Sequence, residues 1–97
     1  FKEDDLLDEL RRYIDQTYAG HYSSDRNFQA LEFIIDSGYG FGFTIGNVLK
    51  YAQRFRRKGQ SPDEWRKDLL KVIHYAILAL YCHDREYSPD AAVSEHS

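Results

Sequence analysis

The sequence predicts an all-α fold: a compact four-helix bundle that we expect to oligomerise. Apolar residues recur at helical spacing in four segments, and the alternation typical of strands is nearly absent. Turn residues separate the four segments. We expect one helical domain over residues 1–86 and a flexible C-terminal tail over 87–97, where the sequence is polar and has no periodicity.

The first two helices are predicted from their apolar spacing and from the residues that end them. The first spans about residues 3–18, has acidic residues in its opening turns and ends before Gly20. Residues 20–27 are polar and are predicted to form a loop. The second helix covers about 27–37 and ends in the glycine-rich stretch 37–42.

The third helix is predicted over about 42–58, with Gly59 after its end. Its predicted inner stripe is Phe41, Ile45, Val48, Leu49, Ala52 and Phe55. Gly46 is expected to let another helix approach closely. The glycines before this helix lack the Gly-Lys-Ser/Thr of a P-loop and any preceding strand, so we interpret them as a tight turn between helices.

The fourth helix is predicted over about 62–84. Ser61 and Glu64 form a capping pair, with Pro62 at the first helical position. Its wide apolar face comprises Trp65, Leu69, Val72, Ile73, Ala76, Ile77 and Leu80. A helix this apolar either lies in the centre of the core or is covered by a second subunit.

Charge is distributed unevenly along the 97 residues. The formal net charge is -3, which does not indicate a general nucleic-acid coat, but residues 41–75 carry eight Lys/Arg and three Asp/Glu. Cys82 is the single cysteine and is expected to be buried, which excludes an internal disulfide and favours a reducing compartment. There is no signal-peptide pattern and no apolar run of roughly twenty residues. We therefore expect a cytoplasmic protein that does not contact a membrane.

The polar side of the third helix is strongly basic and is our candidate phosphate or nucleotide site. Its residues are Asn47, Lys50, Tyr51, Arg54, Arg57 and Lys58, joined by His21 and Tyr22 from the preceding loop. Arginine offers phosphate a planar fork of donors and lysine adds a point charge. Tyrosine can stack on a base, and asparagine can hydrogen-bond to it. The alternative interpretation is a solvated face of a surface helix.

Catalytic and metal-ligating patterns are weak. Glu32 and Asp36 share a helix face, but a second acidic pair is not clear, so Glu32 and Asp68 are only weak candidates for Mg²⁺. Asp68 is instead a candidate partner for an arginine of the third helix. His74 lies near Lys71 on the fourth helix, and no Ser–His–Asp or Cys–His arrangement can be assembled.

Several motifs follow one another in an order that resembles a known family. The matching residues are His21-Tyr22, Phe28, Leu31-Glu32-Phe33-Ile34, Phe41, Gly46-Asn47-Val48-Leu49-Lys50-Tyr51, Arg54, Lys58, Asp68-Leu69, Lys71 and Tyr75. This ordered set is similar to the SaV-like family of small phage-encoded domains of unknown function. The resemblance implies a helical fold and a phage or prophage origin. One member looks like a deoxynucleoside-monophosphate kinase that lacks a P-loop and assembles as an oligomer.

The residues and the resemblance together predict a phage accessory protein that binds a nucleotide or related phosphorylated ligand, in the cytoplasm of an infected host. A nucleotide kinase-like activity is left open and would require Mg²⁺ and ATP. One alternative is a non-enzymatic anti-defence protein that sequesters a nucleotide signal or inhibits a host or CRISPR protein. A second alternative is nucleic-acid binding through the same basic helix.

Overall fold

The computed structural model describes residues 1–19, 22–57 and 61–87, and residues 22–28 by their backbone alone. The predicted tail lies outside the described residues except for Tyr87, which is still helical. None of the described helices is both long enough and apolar enough to cross a membrane.

Four helices make up the described structure, and no strand occurs within it. They are α1 (Glu3–Tyr18), α2 (Tyr22–Asp36), α3 (Gly40–Arg54) and α4 (Pro62–Tyr87). The all-α prediction is therefore confirmed, and α1 has the predicted bounds. Three acidic residues in its first turn suit the positive end of the helix dipole.

The predicted bounds of the other helices need correction. α2 begins at Tyr22, so the loop predicted over 20–27 is wrong for residues 22–27, whereas residues 20 and 21 lie outside the described residues. The Ser and Asp residues of that stretch are favoured in a first helical turn as well as in a loop. α4 continues to Tyr87, three residues beyond its predicted end at residue 84.

α3 ends at Arg54, four residues before the predicted end at residue 58. Phe55 takes an extended conformation with ψ 127, and Arg56 has a positive φ of 62. The amide of Arg57 still donates to the carbonyl of Arg54, at 3.0 Å. Positions 56–58 are all basic, so no apolar side chain there holds a further turn against α4.

α3 and α4 form an antiparallel pair that provides most of the contact between helices, and α1 and α2 pack on this pair less extensively. Two ion pairs link the outer helices to α4. Arg85 lies 2.8 Å from Asp36 of α2, and Arg66 forms a two-pronged pair with Glu9 of α1. Such exposed pairs contribute at most about 1 kcal/mol each, so they orient the helices more than they stabilise them.

Polar groups occupy much of the interior. Leu10, Ala79 and Cys82 are the buried apolar residues in the described chain, and the burial predicted for Cys82 is confirmed. The buried polar residues are Thr44, Asp68 and His74.

The predicted inner stripe of α3 is only partly correct. Phe41, Val48 and Phe55 are half-buried, but Ile45 is 45% exposed and Leu49 is 64% exposed. The helix is rotated so that Thr44, rather than Ile45, lies in the interior.

The glycine of close helix contact is Gly40 and not Gly46. A Cβ on Gly40 would lie 2.8 Å from Cys82 Sγ and 3.4 Å from Ile35 Cγ1, whereas one on Gly46 would meet nothing within 4 Å. Gly38 has a φ of 92, which makes it the turn glycine between α2 and α3. The glycine-rich segment is therefore a tight turn, as predicted.

Candidate functional site

Tyr51 lies at the centre of a group of cations and aromatic rings between α3 and α4. Its ring is stacked on that of Tyr75, with centroids 5.9 Å apart and planes 10° from parallel. Lys71 Nζ is 4.9 Å from the Tyr51 centroid, Lys50 Nζ is 5.1 Å away and Arg54 Cζ is 5.7 Å away. Each distance is within the range of a cation–π interaction. The three cations thus converge on one ring.

An open cavity of about 510 Å³ adjoins this group, and all four helices contribute to its walls. Its lining residues are Tyr13, Thr17, Tyr18, Ala30, Leu31, Ile34, Phe43, Tyr51, Lys71, His74, Tyr75 and Leu78. The volume falls within the range of about 300–1,000 Å³ that is typical of small-molecule sites. The walls are mainly aromatic and aliphatic, and Lys71 supplies the positive charge. This composition suits a ligand with a flat ring and an anionic group.

A buried histidine and three tyrosines form one wall of the cavity. His74 Nε2 and the Tyr18 hydroxyl share a hydrogen bond of 3.3 Å. The rings of Tyr13 and Tyr18 meet the imidazole edge to face, at 6.0 and 5.7 Å. Burial lowers the pKa of His74 and raises the pKa of Tyr18 and Tyr75. The wall is therefore neutral at pH 7 and interacts by stacking and hydrogen bonding.

Asp68 lies beneath this site and holds Arg54. The Arg54 Nε atom is 3.5 Å from Asp68 Oδ2, so the predicted pairing of Asp68 with an arginine of the third helix is confirmed. Asp68 is 1% exposed, and its Oδ2 atom accepts no hydrogen bond in the described structure. The Arg54 guanidinium is therefore the main group that offsets the cost of burying the Asp68 carboxylate. The carboxylate in turn holds Arg54 beside Tyr51.

The described residues offer little for a metal ion. They contain no group of three or more His, Cys, Asp or Glu residues that could hold one. Of the weak candidates, Glu32 is exposed on α2, and Asp68 is paired with Arg54. Asp36, which shares a helix face with Glu32, is paired with Arg85.

The structure brings together part of the predicted basic site. Lys50, Tyr51 and Arg54 lie together as described above. Asn47 is one turn away on α3, and one N–H of its side-chain amide donates to the carbonyl of Phe43 at 2.8 Å within the helix.

The other predicted residues are placed differently or lie outside the described part. Arg57 is exposed and follows the end of α3, so its predicted position on the helix face is wrong. His21 and Lys58 lie outside the described residues, and so does the side chain of Tyr22, which begins α2.

Sequence reasoning left the contribution of α4 out of the predicted site. Lys71 and Tyr75 were recognised as parts of an ordered motif but not as site residues. With Asp68 they recur at spacings of three and four residues, which places them on one face of a helix. That spacing, set beside the basic face of α3, is the signal that could have identified them.

Comparisons with known proteins give a family and no function. A family model described as a protein of unknown function, DUF3310, matches residues 16–77, which is more than half of the chain. The matched range includes the site residues of α3 and α4. Neither the curated proteins nor the solved structures gave a match. On the evidence of the matched range, the chain belongs to the DUF3310 family.

Proposed function

We propose that this protein binds a nucleotide or a related phosphorylated ligand in the cavity between the four helices. The observation that carries the proposal is the convergence of Lys50, Arg54 and Lys71 on the ring of Tyr51, at the edge of an aromatic cavity of about 510 Å³. The ligand's ring would stack among the tyrosines, and its phosphate would meet the cations.

The burial of the cations supports this orientation. Lys50 is exposed, whereas Lys71 and Arg54 are half-buried. A phosphate at this edge would remain partly hydrated while it reached the two half-buried cations. Lys71 is also the one cation of the three that lines the cavity, so it can contact both the ring-binding space and the phosphate.

The arrangement of the carboxylates favours a protein that binds its ligand without converting it. A phosphoryl transfer enzyme needs Mg²⁺ and ATP, with acidic or phosphate oxygens to hold the metal. Asp68 and Asp36 are both engaged by arginines in the described structure, and Glu32 is a single exposed carboxylate. A phage accessory role that sequesters a nucleotide fits this arrangement, and kinase-like activity remains the alternative.

Isothermal titration calorimetry with mono-, di-, tri- and cyclic nucleotides tests the proposal. Lys71→Ala is expected to weaken binding by about 10- to 100-fold, the range for losing a charge-assisted hydrogen bond. Lys67→Ala is the matched control, because Lys67 is an exposed lysine on the same helix that does not line this cavity. Absence of binding by every nucleotide, or equal effects of the two variants, would contradict the proposal.

Whether the ligand is recovered unchanged distinguishes a sequestering protein from a kinase. A sequestering protein returns the nucleotide unchanged, whereas a kinase given ATP and Mg²⁺ converts a monophosphate to a diphosphate. A nucleic-acid binder would instead hold oligonucleotides with an affinity that falls steeply as salt increases. Chromatography of the recovered ligand and a salt titration distinguish these outcomes.

A further inference from the structure

The outward face of α4 is its most apolar face. Leu69, Ile73, Ile77 and Leu80 follow one another at intervals of three or four residues, so they lie on one side of the helix. Their exposed fractions range from 41% to 60%. Such a run of exposed aliphatic side chains is unlike the scattered single residues that are normal on a protein surface.

The apolar surface continues onto α3. The rings of Phe41 and Tyr87 lie 6.4 Å apart, which joins the outer edges of α3 and α4. Ile45 and Leu49 follow Phe41 along α3 at intervals of one turn, and they are 45% and 64% exposed. We call the combined patch the outer surface. Its residues are Ile45, Leu49, Leu69, Ile73, Ile77 and Leu80.

The size of the outer surface suits an association between proteins. Six aliphatic side chains that are 41–64% exposed form a patch of roughly 300–600 Å², and a contiguous apolar patch of this size is often an interaction site. The buried apolar residues of the described chain are few and small, so covering this patch would add substantially to its core.

The charges at the ends of the outer surface indicate which partner covers it. Arg66 and Asp84 are 18 residues apart, or five helical turns, so they lie on the same side of α4. Each is nine residues from Tyr75, one before it and one after it. A second copy of α4 could run antiparallel, with the two-fold axis at the height of Tyr75 but on the outward side of the helix. It would place Arg66 of one protomer beside Asp84 of the other. Ile73 would likewise face Ile77.

This arrangement is self-complementary, as a two-fold interface must be. A parallel arrangement would instead oppose like charges at both ends. Arg66 pairs with Glu9 of its own chain and leaves 47% of its side chain exposed, so it remains accessible to a second carboxylate.

We propose that the protein forms a homodimer in which the outer surfaces of two copies pack together, with their α4 helices antiparallel. No residue of the outer surface lines the cavity assigned to the ligand. The dimer and the proposed function can therefore fail independently of each other.

Analytical ultracentrifugation of the full chain over a range of concentrations tests the dimer. The wild type is expected to sediment as a dimer, and Ile73→Lys is expected to shift the protein to monomer by raising the dissociation constant at least 100-fold. Leu7→Lys is the matched control, because Leu7 is 60% exposed on α1 and is not a residue of the outer surface. Circular dichroism checks that both variants keep their helices. A monomeric wild type would overturn the proposal, as would a dimer that Ile73→Lys leaves intact.

Disulfide cross-linking tests the antiparallel geometry. The background is Cys82→Ala, which removes the native thiol. Chains carrying Ile73→Cys are mixed with chains carrying Ile77→Cys and oxidised. The antiparallel dimer predicts that the mixture cross-links more efficiently than either variant alone. Preferential cross-linking of Ile73→Cys with itself would indicate parallel helices and would overturn the geometry.

Discussion

Arg54 has two roles in the structure, and its replacement by alanine is expected to reveal the structural one first. The side chain lies over Tyr51 and is also the ion-pair partner of Asp68, which is 1% exposed. Arg54→Ala leaves that carboxylate buried without its cation. Removing one partner of a buried ion pair destabilises a protein by about 3–5 kcal/mol.

The carboxylate would lose the attraction of the guanidinium, and its Oδ2 atom already accepts no hydrogen bond in the described structure. We therefore expect Arg54→Ala to lower the free energy of unfolding by about 3–4 kcal/mol at pH 7.

Urea denaturation at pH 7 measures this loss of stability. Lys50→Ala is the control, since Lys50 also lies by the Tyr51 ring but forms no ion pair in the described structure. Asp68→Asn introduced into Arg54→Ala should recover part of the lost stability, because it removes the buried charge. Equal stabilities of the Arg54 and Lys50 variants, or no recovery of stability when Asp68→Asn is added to Arg54→Ala, would refute the reasoning.

This prediction bears on how ligand binding is tested. A binding defect in Arg54→Ala would combine a lost phosphate contact with a destabilised fold. Lys71 has no such second role, because its described contact is with the ring of Tyr51. Lys71→Ala is therefore the more direct probe of the cavity.

Two further predictions concern the interior. Gly40→Ala should lower the thermal unfolding midpoint, because the new Cβ would collide with Cys82 Sγ at an overpacking penalty of about 1–3 kcal/mol. Gly46→Ala meets no such neighbour and should stabilise the protein by about 1 kcal/mol. Equal unfolding midpoints of the two variants would contradict this prediction. Because burial lowers the pKa of His74, the unfolded chain binds more protons below about pH 6.5, and stability should fall as pH decreases through that region. His74→Gln should show a weaker pH dependence between pH 5 and 7 in urea denaturation, and an unchanged dependence would exclude His74 as the cause.

Local sequence signals predicted the elements of this fold well where a pattern and a terminator coincide. α1 has both an apolar repeat and acidic residues in its first turn, and its bounds were predicted correctly. The turn after α2 followed from its glycines. α3 was predicted to continue to residue 58 but ends at Arg54. The residues after Phe55 are basic, so no apolar side chain anchors another turn there.

The orientation of α3 and α4 could not be predicted in the same way. A periodic apolar stripe identifies one side of a helix, and the usual assumption is that this side faces the core of the same chain. In α3 that assumption fails, because Thr44 is buried while Leu49 is exposed. The site was consequently predicted as a basic outer face, whereas the structure places Tyr51 against Tyr75 of α4.

The polar interior and the apolar exterior of the α3–α4 pair have a common explanation. The buried polar side chains find partners within the chain: the Thr44 hydroxyl donates to the carbonyl of Gly40 at 2.8 Å, Asp68 pairs with Arg54, and His74 shares a hydrogen bond with Tyr18. Since these contacts greatly reduce the desolvation penalty, the polar sides of the two helices can face each other. The apolar sides are then left facing outward, and in the proposed homodimer a second copy would cover them.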